Sequence, residues 1–78
     1  MLNNKWYRLA YEFHQKYNPY PKTTDDWCKA AEEAGRICGT NNNDPLLMGL
    51  IMAVYDDFDR EFKAARERGE IIEEEGVQ

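Results

Sequence analysis

Very few side chains in this chain could carry chemistry. It has no serine, one histidine (His14), two cysteines (Cys28 and Cys38) and three threonines, of which Thr23 and Thr24 suit a helix cap. No hydroxyl triad can be assembled, and Cys28 with His14 is the only conceivable pairing of nucleophile and base. A thiol flanked by Trp27 or Ile37 in an amphipathic helix is normally a small packing residue. Metal binding fares no better, because Cys28, Cys38 and His14 have no CxxC or HxxxH spacing that would bring them together. The run Asp56-Asp57-Phe58-Asp59-Arg60-Glu61 is rich in oxygens. A calcium loop, however, needs ligands at alternate positions and a glycine at the sixth, and this run falls inside a helical pattern. The expectation is a chain with no enzymatic activity, no cofactor and no metal.

What remains is charge and apolar patterning. The formal net charge is −5, and it is unevenly placed. Residues 1–43 hold six basic against five acidic side chains, a balance of +1, while residues 44–78 hold four against ten, a balance of −6. An acidic domain repels phosphates, so direct binding to nucleic acid is not expected, whereas a basic protein surface is a suitable partner.

Three helices must position these groups. Asn3 or Asn4 can cap a first helix whose apolar residues Trp6, Leu9, Ala10, Phe13 and Tyr17 recur at i, i+3, i+4, i+7 and i+11. Asn18-Pro19-Tyr20-Pro21 ends it, since proline fixes φ and disfavours α geometry in the preceding residue. Thr23 with Asp26 approximates a capping box for a second helix, with Trp27, Ala30, Ala31, Ala34, Ile37 and Cys38 inward and Gly39 as a left-handed C-cap. Asp44-Pro45 then starts a third helix, Asp capping and Pro taking the first position. Its stripe of Leu46, Leu47, Leu50, Ile51, Val54, Phe58, Phe62 and Ala65 persists until Gly69 offers a cap.

The reading is an all-α three-helix bundle, with helices at about 4–17, 24–38 and 45–68 in one domain over 1–72 and a frayed, flexible acidic tail at 73–78. The third helix should reach ~36 Å against some 22 Å for the others. Phe62, Ala65 and the pair Ile71-Ile72 are therefore expected to outrun the cover that the first two helices supply, unless the third helix bends or ends near Lys63 and Ile71-Ile72 fold back onto the bundle. Asp56 with Arg60 and Asp59 with Lys63 are favourable i, i+4 pairs, which leaves Asp57, Glu61 and Glu67 as unpaired acids. Cys28 and Cys38 are ten residues apart, ~15 Å along one helix and too far for a disulfide. Free thiols, together with a start lacking the apolar core of a signal peptide or any membrane-spanning run, point to a cytoplasmic protein.

An aromatic-rich first helix, PKTTDDW opening the second, and DPLLMGLIMAVYDDFDREFK in the third resemble small proteins encoded by phages and mobile elements of gut bacteria. The resemblance covers most of the chain. Such proteins include anti-CRISPR inhibitors and other host-takeover factors, many of them small and acidic, some imitating the charge of nucleic acid to block a basic groove. The functional expectation is a non-enzymatic protein-interaction module that docks the acidic third helix on a basic partner through Tyr55, Asp57, Glu61, Phe62 and Ala65. The alternative is a homodimer in which Phe58, Phe62, Ala65 and Ile71-Ile72 form a shared seam that completes an undersized core.

Overall fold

The computed structural model describes residues 4–71, and these form three helices: α1 (Asn4–Lys16), α2 (Thr24–Gly39) and α3 (Pro45–Glu67). The fold is all-α, and α3 is the longest helix at 23 residues against 13 and 16. The expected cap on Asn3, Ile72 of the apolar pair and the expected acidic tail at 73–78 fall outside the described residues, while Asn4 is the first residue of α1.

Local chemistry sets the helix ends. Thr23 holds extended geometry and its Oγ1 accepts the Asp26 N–H at 3.0 Å, while Asp25 and Asp26 place negative charge at the positive end of the helix dipole. At α3, one carboxylate oxygen of Asp44 accepts from the N–H groups of Leu46 and Leu47 at 3.1 and 3.2 Å, and Pro45 follows at the position that needs no donor. The far end of α3 closes in a Schellman motif. The Glu70 N–H reaches the Ala65 carbonyl, the Gly69 N–H reaches that of Arg66, and Gly69 takes φ +79°.

The end of α2 departs from expectation. Gly39 is an ordinary helical residue, and the left-handed positions are Asn42 and Asn43, at φ 62° and 52°. Asparagine tolerates that region, and the asparagines offer polar side chains besides. Asn41 donates from Nδ2 to the Ile37 carbonyl at 2.7 Å, Thr40 Oγ1 donates to Arg36 at 2.9 Å, and the Asn43 N–H reaches Cys38 at 2.8 Å. The orphan carbonyls are satisfied without glycine.

Ring contacts fix the topology. Phe13 and Tyr17 both meet Phe58, at 5.7 and 6.2 Å between centroids, and Tyr20 meets Phe62 at 5.8 Å, so α1 and the segment after it run parallel to α3. The intervening turn includes a cis Asn18–Pro19 peptide. Trp27 sits against both Tyr55 and Phe62 at 5.7 Å, so α2 starts beside that level and runs back toward the start of α3. The main packing pair is α1 with α3; α2 meets α3 over a shorter stretch.

The core is Ala10, Phe13, Ala30, Leu47, Ile51 and Phe58. Each large side chain among them contributes ~1.5–3 kcal/mol by leaving water. Two residues assigned inward by periodicity are not. Ala31 is exposed, and Leu46 keeps 44 % of its surface, because the touching arc of each helix is narrower than its apolar stripe.

Candidate interaction surface

The five residues expected to bind a partner are distributed by the fold between core and surface. Ala65 is fully buried. Phe62 is half-buried, with Tyr20 and Trp27 edge-on and the Arg66 guanidinium 5.5 Å over its ring. The expectation that the outer half of α3 lacks cover is therefore corrected. The loop between α1 and α2 supplies it, folding Tyr20 onto Phe62 and burying Pro21. Phe58 is likewise spent inside the chain, ringed by Phe13, His14, Tyr17 and Tyr55. The proposed dimer seam through Phe58 and Ala65 is internal, and Ile71 is half-buried.

Tyr55 is half-buried between Trp27 and Phe58 and donates its hydroxyl proton to the Trp27 carbonyl at 3.4 Å. Burial raises its pKa, with smaller contributions from Cys28 and Asp59. Asp57, expected to be unpaired, is the most engaged acid of α3. It lies 3.1 Å from His14 Nε2 and accepts from Arg60 Nη2 at 2.7 Å. Arg60 thus pairs at i, i+3 rather than with Asp56, while Asp59 and Lys63 pair as expected at 3.1 Å. Periodicity could not reveal the His14–Asp57 link, because its partners are 43 residues apart. Glu61 is half-buried, and Glu61, Asp56 and Glu67 have no ion pair among the described residues.

A cavity of about 240 Å³ opens where α1 hands over to α2, lined by Lys16, Tyr17, Tyr20, Pro21, Lys22 and Asp26, with Asn18 at its edge. Its cations are already engaged. Lys16 bonds Glu33 at 3.0 Å, which raises the lysine's pKa, and Lys22 Nζ sits 3.9 Å over the Tyr20 ring. Glu33 also accepts the Tyr17 hydroxyl at 3.1 Å, and burial followed by that bond raises the tyrosine's pKa. Among the described residues no three His, Cys, Asp or Glu side chains gather as a metal site, and no helix is long and apolar enough to cross a membrane. Cys28 is exposed; Cys38 is half-buried, and burial raises its pKa.

The surface that remains is the outer ridge of α3. Met48, Met52, Asp56, Asp59, Lys63 and Glu67 recur at i, i+4, i+8, i+11, i+15 and i+19, one continuous strip of helix. Met48 keeps 41 % of its surface and Met52 60 %. No family model matches the chain, and no curated protein or solved structure matches it either.

Proposed function

We propose that this protein is a non-enzymatic interaction module that lays the outer ridge of α3 on a protein partner with a basic surface. The supporting observation is the ridge itself. Two exposed methionines, flexible and polarisable, lead into Asp56 and Glu67, acids without an ion pair among the described residues. Apolar anchors beside a charged rim are the common anatomy of a protein–protein contact. Relative to the sequence expectation, the docking strip moves around the helix by about half a turn, from Asp57, Phe62 and Ala65 to Met52, Asp56 and Glu67. The resemblance to phage and mobile-element proteins supports a host protein as the target, with inhibition by occupation of a basic groove as the mode of action.

The test uses the purified chain as bait in a bacterial lysate, beside two variants, Met52→Asp and the pair Asp56→Lys with Glu67→Lys. A partner retained by the parent at low salt, released at high salt and lost by both variants supports the reading. Retention that ignores salt and both variants overturns it, as does a lysate that yields no specific partner at low salt.

A further inference from the structure

The chain holds three methionines, and two of them, Met48 and Met52, stand on the α3 ridge with 41 % and 60 % of their surface open to water. Neither belongs to the core, which is built from alanine, phenylalanine, leucine and isoleucine. Leucine forms helices as readily and is as apolar, so methionine at these two positions adds reactivity to bulk. A peroxide oxidises the thioether directly. As the sulfur attacks, an S–O bond forms, the O–O bond breaks, sulfur gives up an electron pair and the second oxygen leaves as water. The sulfoxide is polar and chiral. A thiol-dependent reductase reverses the step, two thiols closing to a disulfide while the oxygen departs as water.

The surroundings decide what that oxygen does. Within one turn of Met52 stand Met48, Gly49, Tyr55 and Asp56. The glycine and the methionine have no side-chain donor, the Asp56 carboxylate only accepts, and the Tyr55 hydroxyl proton is spent on the Trp27 carbonyl. Within one turn of Met48, the Asp44 carboxylate is held by the Leu46 and Leu47 N–H groups, and Ile51 is apolar. In the free protein, water solvates the sulfoxide and no packing is lost. Pressed under a partner, the same oxygen is an acceptor that these neighbours leave unmet, where an apolar anchor stood before. Oxidation therefore acts on the contact and spares the bundle.

We infer that Met48 and Met52 are reversible oxidation sites, and that their conversion to sulfoxides by a peroxide releases the partner from the α3 ridge while the three helices stay folded. This rests on the docking proposed above and adds its regulation.

The experiment exposes the full chain to hydrogen peroxide and maps the added oxygens by peptide mass spectrometry. Circular dichroism follows helicity and the urea midpoint, and the lysate protein captured by the untreated chain at low salt serves as the binding probe. Met52 gains oxygen ahead of Met48, in the order of their exposure, and the urea midpoint does not move. Retention of the probe weakens about tenfold or more. Methionine sulfoxide reductase with dithiothreitol restores it, and dithiothreitol alone does not, which separates the methionines from the exposed thiol of Cys28. The double variant Met48→Leu with Met52→Leu holds the probe equally well before and after peroxide. Helices that melt as the sulfoxides form overturn the inference, as does a fully oxidised chain that keeps its partner. Recovery with dithiothreitol alone, or a double variant still sensitive to peroxide, also overturns it by moving the switch elsewhere. In each of those cases the untreated chain still binds and the docking stands. An untreated chain that captures nothing removes the docking itself, and this regulation with it.

Discussion

Phe58→Ala should be the most damaging single truncation in the chain. The ring is fully buried and lies 5.6 to 6.3 Å from four others, Phe13, His14, Tyr17 and Tyr55, so it joins α1 to α3. Removing a buried phenylalanine costs ~3–5 kcal/mol, combining lost transfer energy with the cavity left behind. A domain of this size has a total stability of only about 4–12 kcal/mol. With a urea dependence near 1 kcal/mol per molar for so small a protein, the unfolding midpoint should fall by about 3–5 M. Urea titration followed by circular dichroism and tryptophan fluorescence measures this. Phe62→Ala is the control: its ring is half-buried under Tyr20, Trp27 and Arg66, and its loss should cost about half as much. A loss below ~1 kcal/mol for Phe58→Ala, or a larger loss for Phe62→Ala, would refute the assignment of the core to the α1–α3 seam.

Three further outcomes follow from local geometry. Asp44→Ala removes both side-chain bonds to the first turn of α3 and should cost about 1 kcal/mol in the same titration. The two glycines of α3 and its cap should respond with opposite signs. Gly49→Ala adds a methyl that meets nothing within 4 Å in a helical position and should stabilise by ~0.5–1 kcal/mol, whereas Gly69→Ala forces φ +79° on an L residue and should destabilise by about 1 kcal/mol. Spectrophotometric titration of the tyrosines should show Tyr17 and Tyr55 ionising above the ordinary value near 10. Because both folded-state values are raised, their contribution to stability is complete below the unfolded value and is lost as pH climbs through the folded one. The fold should therefore loosen in alkali, and Tyr17→Phe should remove its share of that dependence.

Much of this architecture was legible in the sequence because it is local. Thr23 with Asp26, and Asp44 with Pro45, mark helix starts within four residues, and the structure places α2 and α3 where those signals put them. The errors arose where side chains outside the periodic pattern, some adjacent and some far along the chain, decided the answer. Gly39 was a reasonable C-cap by composition, but Thr40 and Asn41 satisfy the last carbonyls with their side chains and leave the glycine helical. Helical periodicity described the stripe on α3 correctly and said nothing of Tyr20 and Pro21, loop residues with no periodic signal, which cover its outer half. Asp57 looked unpaired because its pairing with Arg60 runs at i, i+3 and its pairing with His14 crosses between helices. The exposed ridge from Met48 to Glu67 was not singled out by spacing. Only packing showed which side of that helix the other two leave bare.

The parallel course of α1 and α3 also bears on how the chain reaches its fold. Neighbours in sequence, α2 and α3, are joined by a five-residue turn at positions 40–44 and can meet early, yet they share the shorter contact. The larger contact joins segments some 43 residues apart and must wait for that loop to close, at an entropy that grows with the logarithm of its length. Early hairpins of α2 and α3 thus hold little stabilisation of their own, and the gain arrives late, when Phe13 and Tyr17 reach Phe58. Folding should be all-or-none and slower than the helix content alone suggests. A chain cut after Tyr17 should yield two fragments, neither of which folds until they are mixed.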